Sequence, residues 1–318
     1  MKSPLILTFA FVASVCATSA DFEATAQQAS NTSTVLAPVR SPQIPSKAKF
    51  ADTEYDLDRI DLYERLDREL TGISYTHGNT LLLLKRANRY FPEILPILKK
   101  NGVPEDIIYL ACIESTLNPR AYSPAKAAGI WQFIPSTAKQ YGLEVNEYVD
   151  ERYNIEKATA AACRFLKSLK AKYGDWESVA AAYNAGPARI TKELDSQQAS
   201  TAMDLYLNEE TTRYMFRILA TKLIMENPRA YGFALNPEQF YTPMEYDIVE
   251  VSTPVADWPT WAKKHGITYA QLKDANLWIR DKTLPNKTGK TYRVRVPKQS
   301  SLHRSTASKN IYNPAWVK

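Results

Sequence analysis

The chain has 318 residues, 45% of them hydrophobic and 23% charged, and a formal net charge of +6. That is the balance of a globular protein with a sizeable core in one or two domains, which excludes a fibrous or wholly disordered chain. The mild positive charge suits an acidic polymer as partner but does not by itself argue for one, and His77, His265 and His303 stand too far apart to give a metal-ligand spacing.

The N-terminus begins with Lys2, runs through the apolar stretch Leu5 to Ala13 and ends in the small residues Ala17-Thr18-Ser19-Ala20. A positive start, a short apolar stretch and a small-residue end describe a secretory signal peptide over residues 1–20. The stretch is short for a bilayer span. Cleavage after Ala20 fits best and after Ala17 is an alternative. Cys16 raises a lipid anchor, against which stands the bulky Val15 just before it. Losing residues 1–20 removes Lys2 and Cys16, which lowers the charge to +5 and leaves Cys112 and Cys163. In an exported protein these two form a disulfide or stand as buried thiols. Residues 21–51 are rich in Ala, Ser, Thr, Gln and Pro and read as a disordered spacer.

Residues 52–235 carry helical patterns almost throughout, with no strand alternation of any length, and read as one all-α domain. Helices are expected over Asp56 to Leu70 and Thr80 to Tyr90, and a new one starting near Pro92 and Pro96. Val103-Pro104-Glu105-Asp106 marks the next start. Further helices follow from Pro135 to Tyr141, Ile155 to Tyr173, Trp176 to Tyr183, Pro187 to Leu194 and Glu209 to Met225. Gly142, Gly174 and Gly186 stand where helices should stop. Beyond Pro228, Tyr246 to Val251 and Lys290 to Val296 alternate like strands and enclose two short helical patterns. This β-α-α-β order makes a separate small module over residues 243–298, and residues 299–318 read as a polar tail. The chain as a whole is mainly α.

Glu114 is the most informative side chain. Ile107, Leu110 and Glu114 are spaced to share one face of a helix, and the apolar run Ile107 to Ile113 should bury that face. Burial penalises a charged carboxylate, and so do the unpaired carbonyls of a helix end, so the pKa should rise. A carboxyl group that stays protonated near neutral pH can serve as a general acid. The alternative is a helix-end residue with its head in solvent.

Four motifs then follow in order. Glu114-Ser115 precedes Asn118-Pro119. Ser123 precedes Gly129-Ile130-Trp131-Gln132 and Pro135-Ser136-Thr137-Ala138. Ala181-Ala182-Tyr183-Asn184-Ala185-Gly186 and Glu210-Thr211-Thr212-Arg213-Tyr214 complete the set. With them, residues 80–230 resemble the lytic transglycosylases of the goose-lysozyme-like superfamily, above all the membrane-bound murein transglycosylase D group. The resemblance implies a lysozyme-like all-α catalytic domain. It also implies cleavage of the β-1,4 bond between N-acetylmuramic acid and N-acetylglucosamine in peptidoglycan, giving 1,6-anhydromuramyl products with Glu114 as the single acid and base. That departs from the two-carboxylate scheme of most glycosidases, and no Asp or Glu lies between Glu114 and Glu144. A hydrolysing muramidase on the same fold and a non-catalytic wall-binding protein are the rival readings.

The resemblance also assigns roles. Ser123 would bond near Glu114 or the substrate's acetamido group, unless it is a turn residue before Pro124. Gln132 would exchange hydrogen bonds with sugar groups, and Trp131 would stack on sugar or pack in the core. Tyr183 and Asn184 would line the substrate groove, with helix capping the alternative for Asn184. Tyr214 would orient Glu114 or the sugar ring, against plain core packing. Glu210 reads as structural, and Arg120 and Arg189 as solvated charges, with contact to peptide carboxylates on the substrate as their alternative. The C-terminal module resembles a LysM domain through Tyr246 to Val251, Trp258 to His265, Leu272 to Asn276 and Tyr292 to Pro297. Its early Gly-Asp-Thr-Leu turn is replaced by Ser252 to Asp257. The expected partner is the peptidoglycan glycan strand, met as a monomer in the periplasm or cell envelope, with no nucleic acid, cofactor or metal.

Overall fold

The computed structural model describes residues 40–318. The expected signal peptide, Cys16 and most of the spacer lie outside the described residues. The spacer expected to reach residue 51 gives way earlier to a hairpin, in which β1 (Lys47–Phe50) pairs antiparallel with β2 (Thr53–Asp56). Phe50 is fully buried and Tyr55 nearly so, so the hairpin is fastened to the core by side chains alternating at strand period. Composition misled here because two aromatic anchors suffice to order so short a pair.

The helical domain follows as α1 (Ile60–Tyr75), α2 (His77–Lys100), α3 (Ile108–Ser115), α4 (Pro135–Gln140), α5 (Ile155–Tyr173), α6 (Trp176–Ala185), α7 (Pro187–Gln197) and α8 (Glu209–Glu226). The expected break at Pro92 is absent, and α2 runs through both Pro92 and Pro96. Proline removes one backbone hydrogen bond and crowds the preceding turn. Both prolines lie on the solvent face, while Phe91, Ile94, Leu95 and Leu98 on the other face are buried. Core burial outweighs the broken backbone ladder. Helix α3 is buried from Ile108 to Cys112 on every side, which places it at the domain's centre. Cys112 and Cys163 are buried free thiols.

The C-terminal module has the β-α-α-β order expected: β3 (Tyr246–Val251), α9 (Trp258–Lys264), α10 (Tyr269–Ala275) and β4 (Tyr292–Pro297). Strands β3 and β4 pair antiparallel, with Tyr246 opposite Pro297 and Val251 opposite Tyr292. The Asn276 amide is fully buried. Its Nδ2 donates to the carbonyls of Leu272 at 2.9 Å and Arg295 at 2.7 Å, and its Oδ1 accepts from the Arg295 N–H at 2.8 Å. One side chain thus locks α10 to β4.

The module is not tethered loosely. Its core of Trp258, Leu272, Trp278, Ile279 and Val294 is continuous with Ala128, Val149 and Tyr153 of the helical domain. Trp278 stacks on Tyr292, and the Lys290 ammonium meets Glu144 at 2.6 Å and Glu151 at 2.9 Å. The expected polar tail also proves to be part of the body. Trp316 is 1% exposed, lies edge-on to Phe91 and donates from Nε1 to the Met225 carbonyl at 2.6 Å. Polar composition hid this single anchor. Among the described residues, no helix is long and apolar enough to cross a membrane.

Candidate active site

Helix α3 carries Glu114 at its last turn, half-buried, above the fully buried Ile107 and Leu110. The helix stops because Thr116 and Leu117 both take left-handed backbone, at φ 52° each. That conformation is unfavourable for residues with side chains and is held only where the surroundings impose it. Here the Thr116 N–H donates to the Cys112 carbonyl at 2.8 Å, Arg86 donates to the Thr116 carbonyl at 3.0 Å, and Leu117 is fully buried.

Tyr214 of α8 donates its hydroxyl to Glu114 Oε1 at 2.6 Å. Burial is the main influence on the Glu114 carboxyl and pushes its pKa from an ordinary 4.5 up to about 7. The Tyr214 hydrogen bond opposes this, the Glu210 carboxylate adds to it and the Arg217 guanidinium opposes it. Glu210 itself is exposed in the first turn of α8. Burial, and then the charge of Glu114, hold the hydroxyls of both Tyr214 and Tyr183 well above the ordinary tyrosine value, so both remain donors.

The loop after α3 is fixed from two sides. Ser115 Oγ lies 2.9 Å from the Ile130 carbonyl, and Tyr183 donates its hydroxyl to the Trp131 carbonyl at 2.6 Å. From below, the buried Arg152 pairs with Asp150 at 2.7 Å and donates to the carbonyls of Lys126 at 2.7 Å and Phe133 at 3.0 Å. Gly129 has φ 76°. A Cβ there would stand 2.1 Å from the Arg152 carbonyl oxygen, so only glycine fits. Within this clamped loop Gln132 takes a left-handed φ of 49°. Its Nε2 donates to the Gly129 carbonyl at 2.7 Å, which leaves Oε1 as an acceptor.

The residues singled out by sequence divide into two groups. Glu114, Tyr214 and Tyr183 come together, with Gln132 on the loop that Tyr183 fastens. Asn184 is half-buried in the last turn of α6, and its amide bonds to no protein group among the described residues. Ser123 instead closes a turn, accepting from the Ala127 N–H at 3.1 Å. Trp131 is a correction: it is fully buried, with Nε1 donating to Thr159 Oγ1 at 2.9 Å, and has no face left for a sugar. Arg189 is exposed, whereas Arg120 pairs with Asp274 of the module.

Sequence reading missed Glu69 of α1. It is 3% exposed, and Arg213 forks onto it at 2.7 and 3.1 Å, with Arg68 at 3.2 Å and Arg217 at 3.7 Å. Arg213 and Arg217 flank Tyr214 on α8, so Glu69 fixes the helix that presents the tyrosine. A buried Glu inside an otherwise amphipathic helix was the only local signal.

Two regions of the chain match known family models. Residues 94–205 match the family model of the Transglycosylase SLT domain, and residues 247–300 match that of the soluble lytic transglycosylase C-terminal LysM-like domain. The chain carries an SLT transglycosylase domain joined to a LysM-like domain. It is similar to the membrane-bound lytic murein transglycosylase D of Escherichia coli (strain K12), at 34% identity over 261 residues, 80% of this chain and 55% of that protein. It is also similar to the membrane-bound lytic murein transglycosylase C of Haemophilus ducreyi, at 27% identity over 160 residues, 46% of this chain and 43% of that protein. The chain thus spans about half the length of these curated relatives. Among solved structures, the 70 kDa soluble lytic transglycosylase of Escherichia coli overlays 43% of this chain and 24% of its own, at 22% identity and a TM-score of 0.36.

Proposed function

We propose that this protein is a peptidoglycan lytic transglycosylase in which Glu114 alone acts as general acid and then general base. The observation that carries this reading is the state of Glu114. Burial pushes its carboxyl up to about 7, and one phenol holds it at 2.6 Å. A general acid works best with a pKa near the working pH. In the first step Glu114 gives its proton to the glycosidic oxygen as the bond to C1 of N-acetylmuramic acid breaks. The resulting carboxylate, steadied by Tyr214, then takes the proton of the muramyl C6 hydroxyl as O6 attacks C1. The 1,6-anhydro ring closes, no water is consumed, and Glu114 returns protonated. Gln132, through its remaining amide oxygen, and the half-buried Asn184 bind the sugar's hydroxyl and acetamido groups.

The relatives are membrane-bound lytic murein transglycosylases, which supports export of this chain and work at the cell envelope. The LysM-like module acts as a fixed wall of the enzyme, since the loop bearing Trp278 and Arg280 is bonded to Tyr148 and Asp150 of the helical domain. Mass spectrometry of digested murein tests the reaction. Anhydromuramyl ends are expected, and their loss in Glu114→Gln with binding retained. Reducing ends alone would make the enzyme a hydrolysing muramidase, and wall binding without cleavage would make it a binding protein.

A further inference from the structure

The loop that leaves Glu114 has a second face, turned toward the module. There Arg120, Tyr122, Asp150, Arg152 and Tyr153 of the helical domain meet Leu277 and Arg280 of the module around an open cleft of about 520 Å³. It shares Tyr153 and Leu277 with a cavity of about 420 Å³ that Pro119 and Trp278 also line. Nothing in the proposed reaction uses either space.

The charge of this cleft is uneven. Arg280 lies 4.6 Å over the Tyr153 ring and donates to the Leu277 carbonyl at 3.3 Å, and it has no carboxylate partner among the described residues. Arg120 is paired with Asp274, but the two side chains are 57% and 69% exposed, so water screens the pair and leaves it easy to exchange. Arg152 is satisfied by Asp150. The Lys273 ammonium is held below its ordinary value first by burial and then by Arg280, with Asp281 opposing and Arg120 adding. Four cations therefore crowd a small region, and Arg280 and Lys273 bond only to carbonyls there. At the mouth stands Tyr122, 60% exposed, a large flat ring left on open surface. An arginine fork without its anion beside an exposed aromatic ring suits a carboxylate borne on a chain with apolar or peptide character.

We propose that this interdomain cleft is a subsite for the carboxylate-bearing peptide attached to the glycan strand, with Arg280 taking a carboxylate and Tyr122 covering the peptide. The inference rests on the reading of the protein as a peptidoglycan lytic transglycosylase. The chain from Glu114 to Arg120 spans at most about 20 Å, a distance a peptide of several residues covers from a sugar bound at Glu114. The module then contributes to substrate choice through its contact face.

The test measures kcat/KM of the full-length enzyme on three matched substrates: glycan strands stripped of peptide, strands bearing their peptides, and peptide-bearing strands with the carboxyl groups amidated. The wild type should favour the peptide-bearing strands over both others by about tenfold, the worth of one charge-assisted hydrogen bond. Arg280→Glu should abolish that preference while leaving the rate on stripped strands unchanged, and Tyr122→Ser should reduce it, with melting temperatures measured alongside to show that both fold. Equal rates on all three substrates, or a preference that both substitutions leave intact, overturns the proposal. A preference that survives amidation overturns the carboxylate assignment. A wild type inert on every strand refutes the proposed reaction instead of the subsite.

Discussion

At Glu114 the surroundings act on one proton in opposite directions. Burial and the Glu210 carboxylate retain it, and the Tyr214 hydroxyl and the Arg217 guanidinium favour its release. The resulting pKa of about 7 is higher than the ordinary 4.5, so ionising Glu114 costs the folded chain more than the unfolded one. The stability linked to Glu114 is therefore complete below pH 4.5, falls as pH rises toward 7, and is level above that. Glu114→Gln should match the wild type in denaturant unfolding at pH 4 and exceed it at pH 8 by up to about 3 kcal/mol, while losing turnover. Equal stability at pH 8 would mean that the carboxyl is not buried as described. Tyr214→Phe removes a bond that favours the carboxylate. The alkaline limb of the pH–rate profile should move to higher pH and kcat should fall by about tenfold or more, and an unmoved limb would detach Tyr214 from the proton. The spacing of Ile107, Leu110 and Glu114 made this burial legible in the sequence. The Tyr214 contact was not legible from local pattern, because it joins residues 100 positions apart. Trp131 could be read either as core or as a sugar platform, and its buried neighbours Ile130 and Phe133 place it in the core.

Helices α1 and α8 are held in register by Glu69, and this contact reaches the site. Arg213 and Arg217 lie one position before and three after Tyr214, and Glu69 engages both. Glu69→Gln frees Arg217 to approach Glu114, and a closer cation lowers a carboxyl pKa. The alkaline limb should shift to lower pH, opposite to Tyr214→Phe, with a stability loss of about 2 kcal/mol. A shift in the same direction as Tyr214→Phe would refute the role given to Arg217. Most helices were legible because an apolar face repeats at helical period. The two prolines of α2 were misleading because a local rule competes with the tertiary burial of Ile94 and Leu98. Glu69 showed little beyond its place in an amphipathic helix for a similar reason, since only the fold brings its arginines within reach.

At the scale of the whole molecule, the helical domain is closed by parts of the chain that look dispensable. The hairpin inserts Phe50, the module shares a core with Val149, and the C-terminal segment inserts Trp316 behind α2. Trp316→Ala should lower unfolding free energy by about 3–5 kcal/mol, read by denaturant titration. A loss below about 1 kcal/mol would mean that the segment only rests on the surface. The β-α-α-β order of the module could be read from alternation, but its docking could not, because Lys290, Tyr292 and Trp278 look like ordinary loop and strand residues until Glu144 and Val149 face them. The proposed reaction depends on one carboxyl group working without water. Digestion of murein in heavy-oxygen water tests that most directly. We expect anhydromuramyl products carrying no solvent oxygen, and none of these products from Glu114→Gln. Incorporation of one solvent oxygen per cleaved bond would contradict the account.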